Sequence, residues 1–296
     1  MIQLKLSVVI PSYNSAPFLD GTIRSVLRQT HRPHDIWLID DGSTDETEAI
    51  AARFGSDIHY VKRTNHGVSE SRNFGAAQAG GDWLLFLDAD DQLLPHAVES
   101  LLGTAAAGDA DVAYGMAIWR HAPGELPELQ GFDYAAGSPP LPAKNIFWRS
   151  VIPTPGAAIV RRSVHERTGG FVREFHGVAD RDYFIKCGLL SKFAHCDTVV
   201  LDKGWRAGSM GSETAKQLYH ALLAQLACFE WCRGRDIDLG FLQTDQRGVI
   251  EHALKAILWT KSWSALPKVL EKAREHGVGG YWVHRARWQA RLTFHG

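Results

Sequence analysis

Over its first 115 residues the chain switches repeatedly between two hydrophobic periods, and this alternation limits the folds open to it. Residues 6–10 form a short β-branched run with the pattern of a buried strand. Residues 17–30 then place Phe18, Leu19, Ile23, Val26 and Leu27 on one helical stripe, with Pro17 suited to the first turn. Strand patterns return at 36–39, 58–62, 83–87 and 112–119, and helical patterns lie between them at 44–54, 69–78 and 95–107. Ser43 and Glu46 have the spacing of a capping box for the second helix. Strand followed by helix four times over predicts a parallel doubly wound sheet, with the wholly apolar 83–87 strand in its middle. Ligands of such sheets bind beyond the carboxyl ends of the strands, so the polar residues that follow each strand become the candidates for chemistry.

Beyond residue 120 the pattern loosens. Residues 121–143 contain five prolines and read as a long loop. Residues 157–160 are strand-like, and 182–190, 213–233 and 245–275 are helical. The expected organisation is an α/β domain over 1–212 and a helical extension over 213–296.

The net charge of −1 hides an asymmetry. Residues 1–110 hold 8 Lys/Arg against 15 Asp/Glu, a net of −7, and residues 247–296 hold 9 against 3, a net of +6. The balance excludes a broadly basic nucleic-acid binder, the acidic front invites a divalent cation, and the basic tail invites an anion. No apolar run is long enough for a membrane span, and the N-terminus lacks the pattern of a signal peptide. The expected location is the cytoplasm, with Cys187, Cys196, Cys228 and Cys232 as reduced thiols and no zinc pair among them.

Three strand-end segments carry the chemistry. In Asp88-Ala89-Asp90-Asp91 the alternate residues Asp88 and Asp90 point the same way and repel each other unless a cation lies between them. Oxygen ligands favour Mg or Mn, which would hold a diphosphate. The plain alternative is a solvated acidic turn before the next helix. Asp40-Asp41-Gly42-Ser43 offers carboxylates to a base N–H or a ribose hydroxyl, against the alternative of a simple turn into a helix. Pro11-Ser12-Tyr13-Asn14 has no glycine, so it is no dinucleotide fingerprint, and Tyr13 offers a flat face for a base instead.

Taken in order, Val8 to Asn14, Ser25 to Thr30, Ile39 to Asp45, Asn65 to Gly75 and Asp88 to Asp91 resemble the family 2 glycosyltransferases, inverting enzymes of the GT-A fold. The resemblance continues through Gly169-Gly170-Phe171 and Asp180-Arg181-Asp182-Tyr183 and fades after about residue 212. It implies a metal-dependent transfer from a nucleotide-sugar donor, a UDP- or dTDP-sugar if Asp41 takes the N3–H of the base, to a saccharide or lipid-linked acceptor in bacterial surface glycan synthesis. Pro11, Tyr13 and Asp41 would frame the base, and Arg72 would reach the phosphates or fix the acidic loop. Asp88 would touch the ribose, and Asp90 would hold Mn or Mg. Arg206 stands in a segment that resembles a late Arg-x-x-x-Ser loop and would close on the diphosphate.

The base of the inverting reaction would be Asp180, with Asp182 as the alternative. The family pairs this acid with a preceding Glu, and this chain has Ala179 there. That departure leaves open a catalytically impaired relative. A sugar nucleotidyltransferase is the other alternative, although residues 11–17 lack the Gly- and Arg-rich loop it needs. Residues 281–292 mix Tyr281, Trp282 and Trp288 with three arginines, a stretch that either makes a peripheral contact with the inner face of a membrane or packs Trp282 and Trp288 on the domain with the arginines in solvent.

Overall fold

In a computed structural model, residues 4–120, 126–131, 146–147, 152–175, 177–204, 214–240, 244–280 and 282–287 are described. The alternation seen in the sequence becomes β1 (Leu6–Ser12), α1 (Ala16–Leu27), β2 (Asp35–Asp40), α2 (Thr47–Ala52), β3 (His59–Lys62), α3 (Val68–Gln78) and β4 (Trp83–Phe86). β1 pairs in parallel with β2 on one side and β4 on the other, and β3 extends the parallel set beyond β2. All seven residues of β1 are buried. Val8 and Ile10 join Leu38, Leu85 and the α1 residues Leu19, Ile23 and Val26 in the core. Each such fully buried aliphatic side chain contributes about 1.5–3 kcal/mol over leaving it in water.

The second half of the sheet is mixed. It comprises β5 (Gln92–Leu93), β6 (Val112–Trp119), β7 (Glu128–Gln130), β8 (Ala158–Arg161) and β9 (Phe193–Lys203), with the helices α4 (Ala97–Ala107), α5 (Arg162–Thr168) and α6 (Ala179–Leu190). The strand order is β3-β2-β1-β4-β8-β6-β9-β5, with β7 added on β6. β8 runs antiparallel between β4 and β6, so the strand at 112–119 does not neighbour β4 as plain alternation would have it. β5, which directly follows the acidic loop, pairs Gln92 with Asp202 and Leu93 with Leu201 of β9.

The capping box expected at Ser43 and Glu46 does not form, because a tertiary partner takes the Ser43 hydroxyl. Ser43 Oγ accepts the Asn14 N–H at 2.9 Å, and α2 starts later, at Thr47, with no side-chain cap from Glu46. Asp45 does the local work instead, accepting from Thr47 N at 3.1 Å and from Ala16 N at 3.0 Å, so one carboxylate ties the starts of two helices.

The chain divides into two compact units, one made of residues 1–173 and 183–207 and the other of 174–182 and 208–296. The second contains α7 (Thr214–Arg233), α8 (Gln246–Thr260) and α9 (Leu266–Glu275). The helical pattern at 245–275 is thus two helices: Lys261 adopts a left-handed conformation (φ 55°) and Pro267 opens the next helix. All four cysteines are buried and none forms a disulfide, and Cys228 and Cys232 pack Sγ to Sγ at 3.8 Å. Among the described residues no helix is long and apolar enough to cross a membrane.

Candidate active site

The three polar segments singled out in the sequence converge at the carboxyl ends of β1, β2 and β4. The exits of β1 and β2 are stitched together. Asp41 N–H donates to Ser12 O at 2.8 Å, and Thr44 N–H donates to Asn14 Oδ1 at 2.9 Å. Asn14 makes this contact from a left-handed backbone (φ 48°), a conformation that asparagine tolerates better than most residues. Pro11 lies buried within β1, opposite Ile39, whereas the Tyr13 side chain beside it is 48% exposed and leaves a ring face open to a ligand.

The two aspartates after β2 have different tasks. Asp40 is fully buried and accepts Ser43 N–H at 2.8 Å and the Tyr60 hydroxyl at 2.7 Å. Burial first, and then the Asp40 carboxylate, push the Tyr60 hydroxyl well above its ordinary pKa. Asp41, only 3% exposed, accepts the His66 N–H at 2.9 Å on one oxygen and the Gly67 N–H at 2.8 Å on the other. Asp41 therefore shapes the turn that leads into α3, and each of its oxygens keeps a second lone pair.

Asp88 and Asp90 are half-buried and Asp91 is fully buried. Arg72, reaching from α3, donates through Nη2 to Asp88 Oδ1 at 2.5 Å. Of the two tasks expected of Arg72, this contact serves the fixing of the acidic loop. Burial raises the Asp88 carboxyl, but the charges of Arg72 and Lys203 prevail and hold it below the usual carboxylate range. For Asp91 the balance is reversed. Burial, reinforced by Asp88 and Asp90, pushes it up to about 8 against the pull of Lys203 and the Gly204 N–H. Lys203 Nζ stands 3.6 Å from Asp91 Oδ2, and Gly204 N–H donates to Asp91 Oδ1 at 3.1 Å. Lys203 is raised in turn: its burial opposes the charge, and the three aspartates outweigh that. Gly204 also has no room for a side chain, since a Cβ there would run into the Asp90 carbonyl oxygen.

Helix α1 anchors the loop from the other side. Thr22 Oγ1 donates to Ala89 O at 2.9 Å, and Gln29 donates to Leu94 O at 2.7 Å while accepting the Val98 N–H at 3.0 Å. Ser25 Oγ accepts the Leu93 N–H at 3.1 Å. The Ser25 to Thr30 signature thus has a physical role, which is to hold the strand and helix that follow the acidic loop.

Arg72 itself is positioned by groups to which the sequence assigned no role. Its guanidinium carbon sits 5.0 Å from the centroid of the Phe171 ring. Phe171 stacks on Tyr183 at 4.1 Å and meets Phe86 edge-on at 4.9 Å. The neighbour of Arg72, Asn73, clasps the backbone of Phe171: Nδ2 donates to Phe171 O and Oδ1 accepts Phe171 N–H, both at 2.8 Å. Gly170, at φ +77°, lies so close to Asn73 Oδ1 that a side chain would break the clasp. His165 completes the cluster, with Nδ1 3.0 Å from the Tyr183 hydroxyl, and burial, aided by Arg162, lowers its pKa to about 4.

Asp180 belongs to the second unit, in the first turn of α6, where it is half-buried and accepts the Arg181 N–H at 2.8 Å. Asp182 beside it is fully buried. Arg206 lies outside the described residues.

The donor set fits a divalent cation of the Mg or Mn type. Asp90 and the Asp88 oxygen not bonded to Arg72 are hard oxygen donors on one loop, and among the described residues no group of three or more His, Cys, Asp or Glu side chains is placed to hold a metal ion by itself. Such cations bind through one or two carboxylates and complete their shell with water and substrate phosphates.

The family described as "Glycosyl transferase family 2" matches residues 7–169 of this chain. Among curated proteins, the chain is similar to the uncharacterized glycosyltransferase YibD of Escherichia coli, at 37% identity over 118 residues, which is 39% of this chain and 34% of that protein. The chain spans between about a sixth and a third of the length of the curated relatives it matches. Among solved structures, S. aureus TarS 1-349 in complex with UDP-GlcNAc superimposes with a TM-score of 0.63 at 19% identity, over 85% of this chain and 71% of that one. The mannosyltransferase PcManGT from Pyrobaculum calidifontis, in complex with GDP-Man and Mn2+, gives 0.59 at 17% identity, over 99% and 81%. At these identities the likeness shows the fold, which is of the GT-A type.

Proposed function

This chain belongs to glycosyl transferase family 2, and we propose that it transfers a sugar from a nucleoside-diphosphate donor to an acceptor hydroxyl with inversion at the anomeric carbon. The observation that carries the proposal is the acidic loop Asp88–Asp91, held by Arg72, Lys203 and α1 beside the exposed Tyr13 ring at the carboxyl ends of the parallel strands. The two solved relatives bind a UDP-sugar and a GDP-sugar, the second with Mn2+, which supports a nucleotide-sugar donor and a cation of that class.

In this reading Tyr13 stacks on the base, Pro11 backs it from within β1, and a free lone pair of Asp41 takes the N3–H of a uracil or thymine. Asp88 accepts from the ribose while Arg72 fixes its orientation, and Asp90 holds Mn or Mg. The cation, when bound, takes up charge on the departing diphosphate. Arg206 adds a further positive charge to that diphosphate. Asp180 removes the proton of the acceptor hydroxyl as its oxygen bonds to the anomeric carbon and the bond to the phosphate oxygen breaks on the opposite face. The acceptor is a saccharide or lipid-linked hydroxyl of the kind used in surface glycan synthesis. Residues 1–212 form the catalytic part and 213–296 the helical extension.

A thermal-shift screen of nucleotide sugars with and without Mn identifies the donor, since stabilisation follows mass action. UDP- or dTDP-sugars should stabilise the protein only when Mn is present, and a panel with no stabilising nucleotide sugar would remove the proposal. With the donor known, Asp180→Asn should lower transfer by about 100- to 10,000-fold while donor binding stays unchanged. Surviving transfer would move the base role to Asp182 or elsewhere.

A further inference from the structure

The second unit carries a surface strip that its own packing does not explain. Helix α8 buries Val249, Ile250, Ala253, Leu254 and Ile257 on one stripe. Trp259 falls outside that stripe and is 89% exposed. Lys255, one turn earlier on the same side of the helix, is exposed, and its ammonium lies 4.8 Å from the ring centroid of Trp282. The guanidinium of Arg285, also exposed, lies 5.8 Å from the same ring. Indole and cation thus alternate along Trp259, Lys255, Trp282 and Arg285, and the exposed Lys261 follows Trp259 at the end of the helix. The one acid of α8, Glu251, lies two turns before Trp259 and is half-buried. Between 244 and 287 the described residues include 8 Lys/Arg against 4 Asp/Glu.

We infer that this strip is a peripheral docking face for an anionic lipid bilayer. An exposed indole gains by entering the interfacial layer, where its ring is buried and its N–H stays hydrated. Lysine and arginine around it gain about fivefold in binding each from the negative surface of such a membrane. A strip of one sign that carries a rigid aromatic matches an extended anionic plane. No helix among the described residues is fit to span a bilayer, so the contact lies on the surface. The acidic residues 1–110, at −7, speak against nucleic acid as the occupant.

Flotation of the full chain with vesicles tests the inference, using phosphatidylcholine alone and phosphatidylcholine with about one-third phosphatidylglycerol. The chain should float with the anionic vesicles and stay behind with the neutral ones. Trp259→Ala and Lys255→Glu should each weaken flotation by roughly tenfold or more, and Lys192→Glu, an equal charge change in the other unit, should not. All three sites are exposed, and near-ultraviolet circular dichroism checks that the variants remain folded. A wild-type chain that ignores anionic vesicles overturns the inference. So does a Lys192→Glu loss as large as that of Lys255→Glu, which would indicate bulk charge, or unchanged flotation of both strip variants.

Discussion

The loops that follow β2 and β4 both consist of aspartates at the carboxyl end of a parallel strand, yet they are stabilised by different means. After β2, the hydrogen-bond donors to the carboxylates are neutral: two backbone amides hold Asp41, and a backbone amide and a phenol hold Asp40. After β4 the partners include full charges, Arg72 on Asp88 and Lys203 beside Asp91. Neutral donors fix geometry and respond little to what binds nearby. Charged partners leave a local balance that a cation and a diphosphate can shift. In the proposed reading, the first loop shapes the base pocket and the second handles charge.

The largest effect on stability should come from the neutral loop. Asp41→Ala leaves the His66 and Gly67 amides without their acceptor and should cost about 2–5 kcal/mol, read as a lower midpoint in urea. Because these donors are neutral, the loss should be the same at low salt and at about 1 M salt. A loss that shrinks with salt would place Asp41 in an ion pair and end the contrast.

The aromatic cluster under Arg72 should respond to pH. His165 titrates near 4 in the folded protein and near 6.5 when unfolded, so the neutral ring favours folding above about pH 6.5. That stability is lost as the pH falls from 6.5 towards 4, by up to about 3 kcal/mol. Melting temperatures across this range should flatten in His165→Gln relative to the parent chain. An unchanged slope would assign the acid sensitivity to other groups.

A smaller and more local effect is expected at Phe171. Phe171→Leu keeps an apolar side chain but removes the ring face under the guanidinium, worth about 1 kcal/mol or roughly fivefold. Titration of the donor nucleotide should weaken by that factor, and Phe171→Tyr should retain the affinity. Equal binding by the leucine variant would show that the Asp88 contact alone orients Arg72.

The contrast between the loops also separates what can be read in a sequence from what cannot. The parallel half of the sheet was legible because each strand and helix announces itself by period within a dozen residues, and Asp88 and Asp90 were legible because they follow a wholly apolar strand. Lys203 was not, since a lysine at the end of a strand more than a hundred residues from Asp91 has no local mark. The same holds for the Asn73 clasp on Phe171, where both residues stand in recognisable segments but their pairing spans 98 positions. Ser43 misled for a related reason: its spacing to Glu46 suits a cap, but Asn14, 29 positions earlier, claims its hydroxyl. The insertion of β8 between β4 and β6 depends on an antiparallel return that plain alternation does not encode.

The central claim, that the Asp88–Asp91 loop binds a diphosphate through a cation, is tested most directly by calorimetric titration of the donor nucleotide sugar with and without Mn, into the parent chain and Asp90→Ala. The account predicts tight binding only for the parent chain with Mn, weakened by more than about a hundredfold when either the metal or the Asp90 carboxylate is removed. Equal affinity in all four titrations would contradict it.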